Sequence, residues 1–268
     1  MPNYLISLDI MRKKGIIIFM LFLVVTTFSQ EKIVPFKDGE WLRFKMSYSG
    51  FLKAGNATLS LKEEELNGKE VFHARGKGWT TGMIKWFFKV NDDYQSYFDK
   101  RTGTPYLFKR KIDEGGYKKN KIITFYEDRR KAYIQDFIKK KDTILSAINV
   151  QDMISTFYFL RKYNTKNLKL NEEINVNMFF DEKTHPFKLK YLGSEVLKTK
   201  FGKIKTQKFR PLVQAGRVFK AKESVTIWIT ADDNKIPIKM KASLSVGSLR
   251  AELDAYKGLA NPFPIIYD

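Results

Sequence analysis

The stretch "IPIKMKASLSV", residues 236–246, constrains this chain more than any other feature. Ile236, Ile238, Met240, Ala242, Leu244 and Val246 fall on one face, while Lys239, Lys241, Ser243 and Ser245 fall on the other. Only an extended strand, whose side chains point alternately to opposite faces, sorts residues with a period of two. Just upstream, Val225, Ile227 and Ile229 alternate with Thr226, Trp228 and Thr230, and Ala231-Asp232-Asp233-Asn234 lies between the two runs. Asp and Asn side chains bond the nearby backbone and tolerate left-handed angles, so this spacing predicts a hairpin with its acids at a wet tip. A catalytic pair would need one carboxyl drawn away from water, and nothing in the stretch provides that. After Val246 the apolar phase slips by one residue and resumes at Leu249, Ala251 and Leu253. A bulge or tight bend at Gly247, in a strand that curves, accounts for the slip.

The same texture runs along the chain. Leu42, Phe44, Met46 and Tyr48 alternate with Trp41, Arg43, Lys45 and Ser47, and Asn67-Gly68 is a strong hairpin signal into 71–75. Further strands are predicted at 93–99, 106–113, 121–126, 132–137, 174–180, 187–192, 195–199 and 204–210, with turns such as Glu114-Gly115-Gly116. One segment differs. Val150, Met153, Ile154, Phe157 and Leu160 follow helical spacing, with Asn149 and Asp152 read as a capping box. The expected fold is mostly β: one antiparallel, strongly curved sheet or open barrel of about a dozen strands, wrapped round a single amphipathic helix at about 150–162.

The N-terminus predicts export. Arg12-Lys13-Lys14 precede an apolar run, Gly15 to Val25, that closes with Thr27-Phe28-Ser29. This is the pattern of a secretory signal peptide over residues 1–29, with Met11 as the start suggested by Asp9 and the mixed polarity before it. Residues 30–268 then form one β-rich domain. No later apolar run reaches the roughly 20 residues that a membrane-spanning helix needs. The chain has no cysteine, hence no thiol for acylation and no disulfide, and the expected product is a soluble, unlipidated periplasmic protein. Formal net charge is +20; removing residues 1–29 takes away three basic side chains and one acid and leaves +18. In an exported compartment that field favours an anionic membrane surface or glycan over nucleic acid, unless the lysines simply cover solvated faces.

Catalytic signatures are missing. The sequence has no nucleotide loop, no G-x-S-x-G elbow and no H-E-x-x-H, and its two histidines, His73 and His185, lack companion ligands at metal spacing. No catalytic residue, metal or cofactor is expected. In "GWTTGMIKWFFKV", residues 78–90, Trp79, Met83, Trp86 and Phe87 crowd together. They read either as core packing or as the mouth of an apolar pocket or a lipid-touching patch. Tyr158 and Arg161, three residues apart on the helix, would either hold an anion or tether the helix end.

Four blocks carry a resemblance. "GEWLRFKMSYSGFLKAGNATLSL" (39–61), "FFKVNDDYQSYFD" (87–99), "DMISTFYFLR" (152–161) and "IWITADDNKIPIKMKASLSVGSLRAELDAY" (227–256) resemble, in order, the exported bacterial proteins of the DUF3108 family. The resemblance implies a β-rich envelope protein and carries no activity onto any residue. The leading expectation is a non-catalytic binding or carrier protein that takes an apolar or amphipathic envelope molecule into its concavity, lined by residues 78–90 and the helix. The first rival is a structural or interaction module with a filled core that binds glycan or protein. The second is an enzyme using scattered carboxylates such as Asp92, Asp93 and Glu195, which a buried carboxylate of raised pKa would favour.

Overall fold

The structure is a computed structural model that describes residues 34–212, 225–244 and 246–267. The signal segment expected at residues 1–29 lies outside the described residues. The first half of the chain is a meander of β1 (Trp41–Tyr48), β2 (Leu52–Leu66), β3 (Lys69–Thr80), β4 (Asn91–Asp99), β5 (Pro105–Glu114), β6 (Tyr117–Tyr126), β7 (Lys131–Asp136) and β8 (Lys141–Ser146). One helical turn, α1 (Ile84–Phe87), interrupts it between β3 and β4. The helix α2 (Met153–Arg161) follows. A second meander then runs through β9 (Glu173–Phe180), β10 (Lys183–Thr199), β11 (Gly202–Pro211), β12 (Val225–Thr230), β13 (Pro237–Ser243) and β14 (Ser248–Lys257), with a short β15 (Ile265–Ile266) at the end.

The two meanders join where β1 pairs with β14. The order across the sheet is β8-β7-β6-β5-β4-β3-β2-β1-β14-β13-β12-β11-β10-β9, with β15 added to β11, and every ladder is antiparallel. The edges β8 and β9 form no ladder with each other, yet the sheet curls until they approach. Gln151 donates its amide to the Asn177 carbonyl at 2.8 Å and accepts from the Phe179 amide at 2.8 Å. At the β9–β10 tip, Arg110 and Lys119 each reach Asp181 at 2.6 Å and Lys121 reaches Glu182 at 2.5 Å. Behind these contacts Phe179 packs with Phe108, Ile123, Phe125 and Ile134 from β5, β6 and β7. Polar and apolar side chains thus cover the exposed strand edges that an open sheet would present.

Hairpin chemistry follows the sequence. Asn67 and Gly68 both adopt positive φ, 52° and 77°, as a two-residue turn matched to strand twist requires. Four expectations are corrected. Gly247 does not mark a bulge in one curving strand: Ser243 pairs with Ser248, so the chain reverses there and the phase slip separates two strands. Runs 187–192 and 195–199 are one strand, β10, whose register shifts between Tyr191 and Ser194 where Gly193 takes φ 99°. β8, with an exposed Ile144, and the two-residue β15 were not expected. The helix cap is Asp152 rather than Asn149: Asp152 accepts from the amides of Ile154 and Ser155 at 2.8 Å, and the Ser155 hydroxyl accepts from the Asp152 amide at 2.9 Å.

The helix is held at both ends inside the concavity. At its start, the Ser96 hydroxyl of β4 donates to Asp152 at 2.6 Å. At its end, Arg161 forks onto Glu40 at 2.5 and 2.7 Å and donates to the carbonyls of Asn234 (2.9 Å) and Pro35 (2.8 Å). The Arg161 and Glu40 side chains are 2% and 1% exposed. Three rings, Phe36, Phe157 and Tyr158, lie 5.2–5.5 Å from the guanidinium carbon. Asn234 extends the junction, donating to the carbonyls of Asn261 (3.0 Å) and Pro262 (3.1 Å). Removing one partner of such a buried pair leaves an uncompensated charge, so Arg161→Met should cost about 3–5 kcal/mol in urea unfolding, and adding Glu40→Leu should recover most of it. A single-variant cost below about 1 kcal/mol would instead place the pair among solvent-screened ion pairs.

Candidate functional site

α2 has two apolar faces with different fates. Ile154 and Tyr158 turn to β2, β3 and β4, where Tyr158 packs on Phe36 and Phe98 at 4.9 and 5.4 Å between ring centres. Met153, Phe157 and Leu160, on another stripe of the same helix, face β9 to β13 across a cleft of about 270 Å³. From the sheet side Met178, Phe187, Leu189, Phe209, Ile227 and Ile229 line it. These side chains alternate inward along their strands, so the apolar period of the second meander supplies the wall directly. The lining is almost wholly apolar, with Arg161, Lys235 and two threonines as its polar members. The volume lies near the lower end of small-molecule sites, roughly 300 Å³.

Lys235 marks the cleft beside the paired Arg161. Lys235 is half-buried, and its ammonium donates to the Arg161 carbonyl at 3.1 Å, capping the C-terminal end of α2. Burial lowers its pKa below the ordinary lysine value, against the pull of Asp233. Asp232 accepts from the Thr230 hydroxyl, from the Asn234 amide nitrogen at 2.6 Å and from the Lys235 backbone at 3.2 Å. The Asp232-Asp233 stretch is therefore a bend, as its residues predict. It is not wholly wet, because Asn234 beside it is completely buried.

The residues singled out in the sequence do not converge. Arg161 reaches the cleft but its donors are taken by Glu40 and two carbonyls. Tyr158 is turned to the other side of the helix, where burial and then the Glu40 charge push its hydroxyl well above the usual tyrosine range. The expectation that residues 78–90 line the concavity is corrected: neither Trp79, Met83, Trp86 nor Phe87 lines the cleft. Trp86 and Phe87 stand 83% and 84% exposed on α1, a turn of four residues that lies beside β2 yet buries none of its side chains. The cleft residues of β9 to β12 were missed as a site, although their alternation is plain in the sequence.

Carboxyl chemistry divides between structure and one pair. Asp152 is fully enclosed; burial raises its pKa to about 6 against hydrogen bonds from Ser96 and the helix amides, and it serves as the cap. Asp93 is lowered by its bonds to Arg75 and Gln95 despite partial burial, and Glu195 is lowered chiefly by the Trp228 indole. Asp92 differs. Burial first, then its hydrogen bond and charge repulsion with Glu114, raise it to about 7. It lies on the same face of β4 as Tyr94, Ser96 and Phe98 and is not part of the cleft. Among the described residues no group of three or more His, Cys, Asp or Glu is placed to hold a metal ion.

A single antiparallel sheet curled round one helix, with a cleft between them, is a β-barrel-like architecture. The fold is similar to that of a solved β-barrel-like protein of the domain of unknown function DUF1849 from Brucella abortus, at TM-score 0.56 and 10% identity over 87% of this chain and 99% of that one. The chain itself belongs to the DUF3108 family, proteins of unknown function, whose family model matches residues 43–254. Two other solved structures align at lower TM-scores. One, from Bacteroides fragilis, is described as an exported protein with a YmcC-like fold (0.38; 7% identity; 84% and 98% covered). The other, from Parabacteroides distasonis, is described as a lipoprotein (0.35; 11% identity; 84% and 98% covered). No curated protein matches the sequence.

The Asp92 shift fixes a sign for pH dependence. A carboxyl raised from about 3.9 in the unfolded chain gives a stability contribution that is complete below that value and is lost as pH rises through the folded value. Asp92→Asn keeps an acceptor for the Asp113 amide and does not ionise. Its stability relative to the parent should therefore rise between pH 5 and pH 8, by about 1 kcal/mol after solvent screening, in paired urea titrations. A difference that stays flat over that range contradicts the assignment.

Proposed function

We propose that this protein is a non-catalytic exported carrier that binds an apolar or amphipathic envelope molecule in the cleft between α2 and strands β9 to β13. One observation carries the reading: the Met153-Phe157-Leu160 stripe and the inward side chains of the second meander border one cleft of about 270 Å³ whose lining is almost wholly apolar. A filled-core interaction module would bring them into contact, because dispersion and burial both favour closure. Lys235 at the cleft suits an occupant with an acidic end, and the apolar walls suit a hydrocarbon body. Export rests on the basic and apolar pattern of residues 12–29. Among the described residues no helix is long and apolar enough to cross a membrane. Asp92, whose carboxyl burial raises to about 7, lies outside the cleft in a separate pocket with Asp93 and Lys111, so the carrier reading is drawn from the cleft alone.

The test is uptake of a fluorescent long-chain fatty acid. Ile229→Trp extends an indole into the cleft and should abolish saturable uptake while costing about 1–3 kcal/mol at most in stability, the usual range for overpacking. Uptake unchanged in this variant, or absent from the parent protein after delipidation, overturns the carrier reading in favour of the interaction module.

A further inference from the structure

The strands alternate in direction, so successive tips fall at alternate ends of the sheet. One end collects the β1–β2, β3–β4, β5–β6, β7–β8, β9–β10 and β13–β14 connections. These tips touch one another: the Gly115 amide donates to the Lys89 carbonyl at 2.8 Å, the Phe137 amide to the Asn120 carbonyl at 2.9 Å, and the Tyr48 hydroxyl to the Val246 carbonyl at 2.8 Å. At their apexes stand Phe51, Met83, Trp86, Phe87, Ile138 and Val246, each at least half exposed. A single exposed apolar side chain is ordinary, whereas several gathered at one end of a sheet mark a surface for a partner or a membrane. Here basic residues accompany them: Lys85 and Lys89 flank Trp86-Phe87-Phe88, and Lys139-Lys140-Lys141 follow Phe137-Ile138.

We propose that this end of the sheet docks on an anionic lipid bilayer, with the α1 aromatics entering the headgroup layer and the neighbouring lysines meeting lipid phosphates. Three features select a bilayer over a protein partner. The apolar groups sit on separate tips rather than in one continuous groove, and no single rigid helix or strand would cover them all. Trp and Phe between lysines match the interfacial composition, aromatic bodies at the headgroup level with cations beside acidic lipid. The net charge of +18 that remains without residues 1–29 draws the whole molecule toward an anionic surface. The inference stands on the tips alone and does not depend on what fills the cleft.

Vesicle co-sedimentation tests it, using the protein recovered from the exported fraction of its host. Binding should be strong to vesicles of equal parts phosphatidylglycerol and phosphatidylcholine, weak to phosphatidylcholine alone, and should fall as salt is raised. Replacing Trp86 and Phe87 together by Ser should reduce the partition coefficient about tenfold, and Lys85→Glu with Lys89→Glu roughly thirtyfold. Both pairs are exposed, so far-UV circular dichroism and melting should be unchanged, and fatty-acid uptake in the cleft should also be unchanged. The proposal is overturned if the parent binds no anionic vesicle, or if it binds and both double variants bind equally well. A concentration-dependent dimer lost on the Trp86/Phe87 change, without vesicle binding, would instead assign this end to a second copy of the chain.

Discussion

The buried pair of Arg161 and Glu40 is the contact on which the arrangement depends. It joins the end of the only long helix among the described residues to the residue just before β1, and through the Asn234 carbonyl it takes in the β12–β13 hairpin. A charged pair in this position gains little net stability over an apolar replacement, because its desolvation offsets its attraction. Its effect is on geometry. A bidentate fork with two further carbonyl acceptors admits one placement of the helix end, whereas a hydrophobic contact would let α2 slide or roll. The Asp152 cap and Ser96 fix the other end in the same manner.

Held at both ends, the helix lies against β3, β4 and β9. Its Ile154-Tyr158 face is committed to β2, β3 and β4, Met153 packs on the cluster of Phe108, Phe125 and Phe179, and Met153, Phe157 and Leu160 border the cleft. Polar anchoring thus fixes the helix end beside the apolar cleft. Three of the four sequence blocks that resemble the family meet in the Glu40–Arg161–Asn234 junction, and the remaining one supplies Ser96. The motif W-I-T-x-D-D-N-x-x-P, which invites a catalytic reading of its acids, is in this chain a brace. Asp232 organises the bend, and Asn234 ties it to the C-terminal segment at Asn261 and Pro262.

Much of the fold was legible because half-buried antiparallel strands write their period directly into the sequence. β1, β12 and β13 were read from alternation, and the Asn67-Gly68 turn from the only residues that take both left-handed angles easily. What was missed lacks that contrast. β8 is an edge strand whose outward Ile144 breaks the pattern, and β15 is too short to show one. A reversal and a bulge shift the apolar phase alike, which is why Gly247 was read as a kink and Gly193 as a gap between strands. The site was less legible than the fold. Glu40 and Arg161 are 121 residues apart, and no local spacing announces their meeting. The crowding of Trp86 and Phe87 left core packing, a pocket mouth and a lipid-touching patch open, and the structure exposes both rings on a four-residue turn at a sheet end.

The account turns on the gap between α2 and the second meander being a binding site rather than an unpacked core. The most direct measurement is a crystal structure of the protein soaked with a long-chain fatty acid brominated near its methyl end, read by anomalous scattering. The account predicts a bromine peak between Phe157 and Phe209, with the acyl carboxylate toward Lys235 and the Arg161–Glu40 fork unmoved. A helix closed onto Ile227 and Ile229, with no bromine anywhere in the concavity, would contradict it.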